Sequence, residues 1–328
     1  MRLESLELGA GLAAVLLAAL VALTAPWLAP HDPAEQHDPV EARLLPPFSG
    51  RLAVELVDGR QLLATAVERD GERLLLAGRT RLESVAVSEV QPQPSGALAR
   101  PLFFLLGTDH LGRDVCSRLL WAARTSLAVG VLAVFLVLTL GIGVGSLAAM
   151  SGGWIDAVLM RGVDALLVLP RLFLVLLLTS LTRPDPLVVV LVLGATGWMA
   201  VSRLIRAELL TLKSSDLAVA ARATGRHPLG VFWRHLLPNS LTPLVVDASL
   251  RIGDIILVEA ALSFLGLGIQ PPVPSWGNMI ADGAHLLRTA WWVAVPAALA
   301  TTLTVLGFQL LGDGLRNRLD PRWASENR

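Results

Sequence analysis

Cysteine is almost missing: Cys116 is the single one among 328 residues. One thiol excludes an intrachain disulfide framework and any multi-cysteine metal site, so redox chemistry is not an expected role. Charge is scarce as well. Only 16% of residues are Asp, Glu, Lys or Arg, against about a quarter in soluble domains, while 54% are apolar and the mean hydropathy is +0.62. A soluble fold is thereby disfavoured. The 27 basic and 27 acidic residues cancel, so charge gives no reason to expect a nucleic-acid partner. Lysine is reduced to Lys213, which follows Leu212 rather than glycine, so no Walker A phosphate loop is present. The zinc pattern His-Glu-x-x-His and the nucleophile elbow Gly-x-Ser-x-Gly are also missing from the sequence. His227 and His235 are separated by eight residues in a stretch broken by Pro228, and no metal or cofactor site is expected there.

What the chain does contain is long apolar runs. A bilayer core about 30 Å thick needs roughly 20 such residues in a helix rising about 1.5 Å per residue. Six segments qualify or nearly do: residues 8–25, 125–155, 163–181, 186–202, 241–267 and 289–312. The first is read as a retained anchor rather than a cleaved leader, because it is longer than the usual apolar stretch and Glu4 and Glu7 precede it. Arginines 203, 206, 222, 226 and 234, with Lys213, fall between the fourth and fifth runs, and Arg316, Arg318, Arg322 and Arg328 follow the sixth. The positive-inside rule then expects both regions, and the N-terminus, to be cytoplasmic. Trp27, Trp121, Trp154, Trp291 and Trp292 lie near run ends, as expected of headgroup-level indoles.

Two insertions interrupt the apolar pattern. Residues 51–89 alternate apolar and polar side chains around Asp58-Gly59 and Asp70-Gly71, which signals hairpins and a small meander of three or more strands. Leu52, Val54 and Leu56 are expected on one side of a strand, and Leu63, Thr65 and Val67 on one side of the next. This insertion is expected outside the cell, either as a docking surface for a delivery protein or as a solvated addition that serves stability. The second, residues 207–239, reads as two short helices: Ser215 caps the first, Gly225 ends it, Pro228 opens the second and Pro238 closes it. Leu217, Ala220 and Ala221 form a small-residue face there, suited to close approach by a partner.

Charges inside an apolar run usually face protein or water, since each costs at least about 2.5–3.5 kcal/mol at mid-helix. Asp247, Arg251 and Asp254 are spaced i, i+4, i+7 and share one face of the fifth run. They form either the polar wall of a solute path or a mutually neutralised cluster. Glu259 points away from this stripe toward a different contact. Asp164 and Arg171 in the third run have the same two readings.

The residues from Gly107 to Asp114, reading GTDHLGRD, resemble the box that precedes the second helix in C-type permeases of the dipeptide, oligopeptide and nickel ABC-importer family. The stretch 216–239 resembles their EAA coupling loop, residues 263–278 their fifth-helix exit, and 312–322 their C-terminal tail. The resemblance implies an all-α polytopic membrane protein of the ABC type I importer kind, in keeping with the six transmembrane helices counted above, to which the alternation in residues 51–89 adds a small β-rich extracytoplasmic insertion. It divides the chain into an N-terminal transmembrane helix in residues 1–30, an extracytoplasmic segment 31–106 and a permease domain 107–322. The last carries the coupling loop 207–239, and a tail, 323–328, follows it. It further implies a second homologous permease subunit, two ATP-binding subunits that hold ATP and Mg, and an extracytoplasmic solute-binding protein, in a bacterial or archaeal plasma membrane. Asp216, Ala220, Ala221 and Gly225 would couple the chain to its ATPase. Asp216 departs from the aromatic residue or glutamate frequent there, the β-rich insertion is longer than usual, and the fifth helix is more charged. Short peptides are the expected solute, with nickel chelates or another small solute as the alternative. An embedded enzyme, or a receptor or scaffold, would be a different class: the enzyme would act alone, and the receptor would bind ligand without a second permease chain.

Overall fold

The computed structural model describes residues 2–93, 96–182, 185–215 and 227–319. Among the described residues, eight longer helices are α1 (Arg2–Leu28), α2 (Val115–Ser151), α3 (Gly153–Leu167), α4 (Arg171–Ser180), α5 (Pro186–Lys213), α6 (Thr242–Phe264), α7 (Trp276–Ala284) and α8 (Val295–Leu319). Six strands fall between α1 and α2: β1 (Ser49–Glu55), β2 (Gln61–Ala64), β3 (Ala66–Asp70), β4 (Arg73–Ala77), β5 (Leu82–Ala86) and β6 (Arg100–Phe104). The chain divides into two compact units: residues 1–19, 126–269 and 301–328 form the first, and 20–125 with 270–300 the second.

Helices α1, α2, α5 and α8 are each long and apolar enough to cross a membrane, and α3 with α4, bent by 79° at Val168–Pro170, meet that criterion only as a pair, the geometry of a broken span or of a re-entrant loop. Helix α6 has 23 residues, about 35 Å at 1.5 Å each, but carries Asp247, Arg251, Asp254 and Glu259. Each expected run thus corresponds to a helix or a bent pair, with shifted limits. The second begins ten residues before 125, the third is two helices rather than one, and the fourth extends past Ser202 to Lys213, taking residues 207–213 out of the expected loop.

Within the first unit, glycine sets the helix separations. A Cβ on Gly145 of α2 would lie 2.4 Å from the Ser202 carbonyl oxygen of α5, and one on Gly141 would lie 2.5 Å from Val201 Cγ1. On the facing side, a Cβ on Gly194 would meet Leu136 at 2.4 Å. Backbones this close gain dispersion contacts that lipid tails do not replace, the small-xxx-small logic of membrane helices. The start of α1 meets α8 the same way, through Gly11 against Leu311 and Gly314 against Leu8.

The run from Pro228 departs from expectation. Pro228 does open a helix, but Pro238 does not close it: a π-helical turn at Phe232–Leu236 leads into Leu237–Ser240, and α6 follows at Thr242. Leu237 N–H donates to Phe232 O, five residues back, and this wider turn relieves the clash that a proline ring makes with the carbonyl four residues before it. Helix α6 stops at a Schellman motif: Gly266 has φ +77°, its N–H donates to Ser263 O at 3.1 Å, and Leu267 N–H donates to Leu262 O at 2.9 Å.

In the second unit the strands form two antiparallel three-stranded sheets, ordered β2-β1-β6 and β3-β4-β5. The expected turns form at Gly59 (φ +84°) and Gly71 (φ +60°). Val54 and Leu56 share a buried cluster with Leu74, Leu76 and Val85 of the other sheet. Ala53 and Leu63 face the opposite way, into a cluster with Ala42, Leu45, Leu102 and Phe104. The expected stripe Leu63–Thr65–Val67 does not exist: Thr65 is exposed where the chain leaves one sheet for the other, and Val67 packs with the first cluster.

Glu41 fastens residues before β1 to the turn after β4. Its buried carboxylate accepts bonds from Arg79 N–H, Thr80 N–H (2.9 Å) and Thr80 Oγ1 (2.5 Å). Burial pushes its pKa upward, but the bonds from the Thr80 hydroxyl and the Thr80 and Arg79 amides outweigh that and hold it below the ordinary 4.5. A depressed carboxyl pKa stabilises the folded state fully above its unfolded value, and the contribution disappears as pH falls through the folded value. Protection of the Arg79 and Thr80 amides from hydrogen exchange should therefore be lost in the wild type as pH falls through that depressed folded value, below the ordinary 4.5. In Glu41→Gln it should be weak at every pH. Equal protection in both proteins at neutral pH would remove this role from Glu41.

Candidate functional site

The box from Gly107 to Asp114 folds into a polar knot within the second unit. Gly107 has φ +74° and sits so close to Leu45 that a Cβ would lie 2.2 Å from its carbonyl oxygen. The buried Thr108 hydroxyl accepts from Leu45 N–H at 2.8 Å and donates to Ala42 O. Its carbonyl accepts Trp292 Nε1–H at 3.2 Å. Trp292 is therefore buried and hydrogen-bonded, unlike the expected headgroup-level indole, whereas Trp27 and Trp154 are exposed.

Asp109 accepts from Leu111 N–H, Arg113 N–H and Arg113 Nε, the last at 2.6 Å. Arg113 Nη2 also reaches Asp282 of α7 at 3.3 Å, and Arg118 lies 3.6 Å from Asp109 and 3.8 Å from Asp282. Both guanidinium groups are almost wholly buried, at 2% and 1% exposure, so this two-acid, two-base cluster neutralises itself. Asp109, His110 and Asp282 come within 4.8 Å of one another, a spacing that a metal could use. Both carboxylates already serve the arginines, whose charges would oppose a cation. Asp114 caps α2 by accepting Ser117 N–H at 2.9 Å and Ser117 Oγ at 2.6 Å. Burial raises its pKa, yet bonds from His31 and Ser117 hold it below the usual carboxylate range.

Helix α7 starts with a capping box, in which Ser275 Oγ accepts Asn278 N–H at 3.2 Å and Asn278 Oδ1 accepts Ser275 N–H at 3.0 Å. The sequence carries that signal as a serine followed three residues later by an amide side chain. Strand β6 lies outside the expected limits at 51–89; its buried Leu102 and Phe104 alternate with exposed residues, but the exposed Phe103 is itself apolar, so the sequence shows no polar alternation there.

In the first unit the stripe on α6 is only partly a cluster. Arg251 Nε donates to Asp247, but Asp254 is exposed and makes no ion pair within 4 Å among the described residues. The cation that Asp254 acts on through space is Arg171 of α4. Glu259 does serve a separate contact: it is fully buried and accepts Ser126 Oγ of α2 at 3.3 Å and Ser263 Oγ at 2.8 Å. Helix α3 is tied to α5 by Asp156, which takes both arms of Arg206 at 2.5 and 2.6 Å, and by Asp164, 3.6 Å from Arg203. Asp216, Ala220, Ala221 and Gly225 lie outside the described residues.

Comparison with known proteins adds independent findings. Residues 10–47 match the N-terminal TM domain of oligopeptide transport permease C. The chain is 36% identical over 312 residues to the di/tripeptide transport system permease protein DppC of Pseudomonas aeruginosa, covering 95% of this chain and 87% of that one. It is 37% identical to the dipeptide transport system permease protein DppC of Escherichia coli K12, with 95% and 88% covered. The glutathione transport system permease protein GsiD of Pectobacterium atrosepticum is 40% identical across 67% of this chain and 73% of its own. A solved structure of the MetNI methionine ABC transporter, inward facing, superposes with a TM-score of 0.52 at 18% identity, covering 62% of this chain and 96% of that one, which shows a shared fold. With residues 141–325 also matching its model, the chain belongs to the family of binding-protein-dependent transport system inner membrane components.

Proposed function

We propose that this chain forms half of the translocation path of an ATP-driven importer of short peptides, beside a second homologous permease subunit. By its family it is an inner-membrane transport component rather than an enzyme, and it works with a binding protein and ATP-binding subunits. The observation that carries the peptide reading is the identity to di/tripeptide and dipeptide permeases over 95% of the chain. Two ATP-binding subunits dock on the cytoplasmic loop, both termini lie in the cytoplasm, and the β-rich insertion lies outside. The arginines between α5 and α6 and after Gly314 support that orientation. Asp247, Arg251 and Asp254 line the path. Asp216, Ala220, Ala221 and Gly225 form the docking helix, and closure of the ATPase pair rocks the permease between two states.

Cys116 is buried, so a Cys116→Ser background leaves an introduced thiol as the only one. In native vesicles, Ala221→Cys in that background should crosslink to an ATP-binding subunit, while Leu299→Cys on an exposed face of α8 should not. Gly225→Val should keep ATP hydrolysis while lowering labelled dipeptide uptake by about tenfold or more, because the left-handed position proposed for Gly225 from the sequence excludes a β-branched side chain. No capture at Ala221, or undiminished uptake by the Gly225 variant, would remove the coupling role. Failure of the wild-type importer to take up any dipeptide would remove the peptide reading.

A further inference from the structure

A cavity of about 210 Å3 lies in the first unit, lined by the break between α3 and α4 together with α5 and α6. Leu169, Pro170 and Met199 give it apolar walls, and its two charged lining residues are both arginines, Arg171 and Arg251. Arg171 Nη2 reaches to within ordinary contact, 3.4 Å, of where a Cβ on Gly197 of α5 would stand, and the closer neighbour of that position is Val137 Cγ2 at 2.7 Å. Two like charges at one small cavity repel each other, and their partners differ. Arg251 is matched by Asp247. Arg171 is not matched in that way: its Nε is buried without a hydrogen-bond partner among the described residues, and Asp254 acts on it without forming an ion pair. The first turn of α4 adds further positive potential, because Pro170 offers its amides no side-chain cap. A buried arginine Nε without an acceptor and an uncapped helix start, with Arg251, paired to Asp247, as a second cation nearby, together favour a planar anion over a cation or a neutral group.

We propose that this cavity is a carboxylate-binding site, in which Arg171 supplies a two-pronged donor and Arg251 a second positive charge to the C-terminal carboxylate of a peptide in transit. Naming the peptide as bearer of the carboxylate rests on the import reading above. The volume fits a terminal group, since pockets that enclose a whole drug-sized ligand measure about 300–1,000 Å3. Guanidinium pairs carboxylates bidentately, whereas an ammonium acts as a point charge, so lysine at Arg171 is not a conservative replacement.

The complete importer in lipid nanodiscs, without its binding protein, provides the test. Its thermal unfolding is followed with N-acetylalanine, N-acetylalaninamide or inorganic phosphate. N-acetylalanine should raise the midpoint, the amide should not, and phosphate should act more weakly than the acid. Arg171→Gln should abolish the effect. Arg171→Lys, which keeps the charge if the glutamine variant does not assemble, should need about tenfold more acid. Equal stabilisation by acid and amide, a stronger effect of phosphate than of the acid, or an unchanged response in Arg171→Lys would overturn the site. Uptake of labelled dipeptide by the importer with its binding protein is measured separately. Acid binding without dipeptide uptake overturns the import reading alone, and uptake with no acid response overturns the site alone.

Discussion

Replacing Arg113 with methionine should destabilise the permease by about 3–5 kcal/mol, because it strands a buried carboxylate. Asp109 is 1% exposed and takes its shortest bond, 2.6 Å, from Arg113 Nε. Arg118 stands 3.6 Å from Asp109 and shares Asp282, so it softens the loss without replacing the lost bond. Removing one partner of a buried ion pair costs more than the pair contributes when intact, since the remaining charge has neither water nor protein to solvate it. The check is thermal unfolding in detergent, with Arg60→Met as the control. Arg60 pairs with Asp58 on an exposed turn, where ion pairs contribute little. If the Arg113 variant unfolds at the temperature of the control, the knot does not hold this unit together. Lysine at position 113 should fall between wild type and methionine, since one ammonium cannot span Asp109 and Asp282 as the two arms of arginine do.

Alanine at Gly145 and alanine at Gly143 should shift stability in opposite directions, although the two residues are separated by a single position on α2. Gly143 has nothing within 4 Å of an added Cβ, so alanine there meets no obstacle and gains up to about 1 kcal/mol of helix propensity. At Gly145 the same methyl would stand 2.4 Å from the Ser202 carbonyl oxygen and 3.0 Å from Ile205 Cγ2. A backbone oxygen cannot swing aside as a flexible side chain can. Helices α2 and α5 would have to separate, and overpacking of this kind costs about 1–3 kcal/mol. Loss of their close approach also opens room around Leu136 and Val137, which pack on Gly194 and Gly197. The readout is the unfolding midpoint of both single variants. A stable Gly145→Ala would mean that α2 and α5 do not cross at this glycine.

Some features were legible because their causes are local. The two hairpin turns follow from Asp-Gly pairs that accept left-handed backbone, and the structure has positive φ at Gly59 and Gly71. The apolar runs mark the spans because desolvation of a helix depends on its own side chains. Pro228 begins its helix as expected, since a first turn does not need the missing N–H. The early start of α2 was not legible. The expected run began only at 125, past Arg118 and Arg124, yet Arg118 is 1% exposed because Asp109 and Asp282 neutralise it. Asp282 is 164 residues away, beyond the reach of any window along the chain. Trp292 misled for the same reason: its indole was read from its position near a run end, while its partner is the carbonyl of Thr108.

Hydropathy and turn chemistry marked a multi-spanning membrane chain with two insertions, and the missing phosphate loop excluded a Walker A site of its own; the transport role and the partner that supplies energy came with the family resemblance carried by short contiguous motifs. Which charges are balanced, and by what, came from the folded chain. Asp247 holds Arg251, Glu259 is held between Ser126 and Ser263, and Arg171 reaches a cavity with no hydrogen-bond acceptor on its Nε among the described residues. The division has a physical origin. Transfer into lipid and left-handed turns are properties of neighbouring residues, whereas the electrostatic state of a buried group depends on side chains that only the packing of distant helices brings within reach.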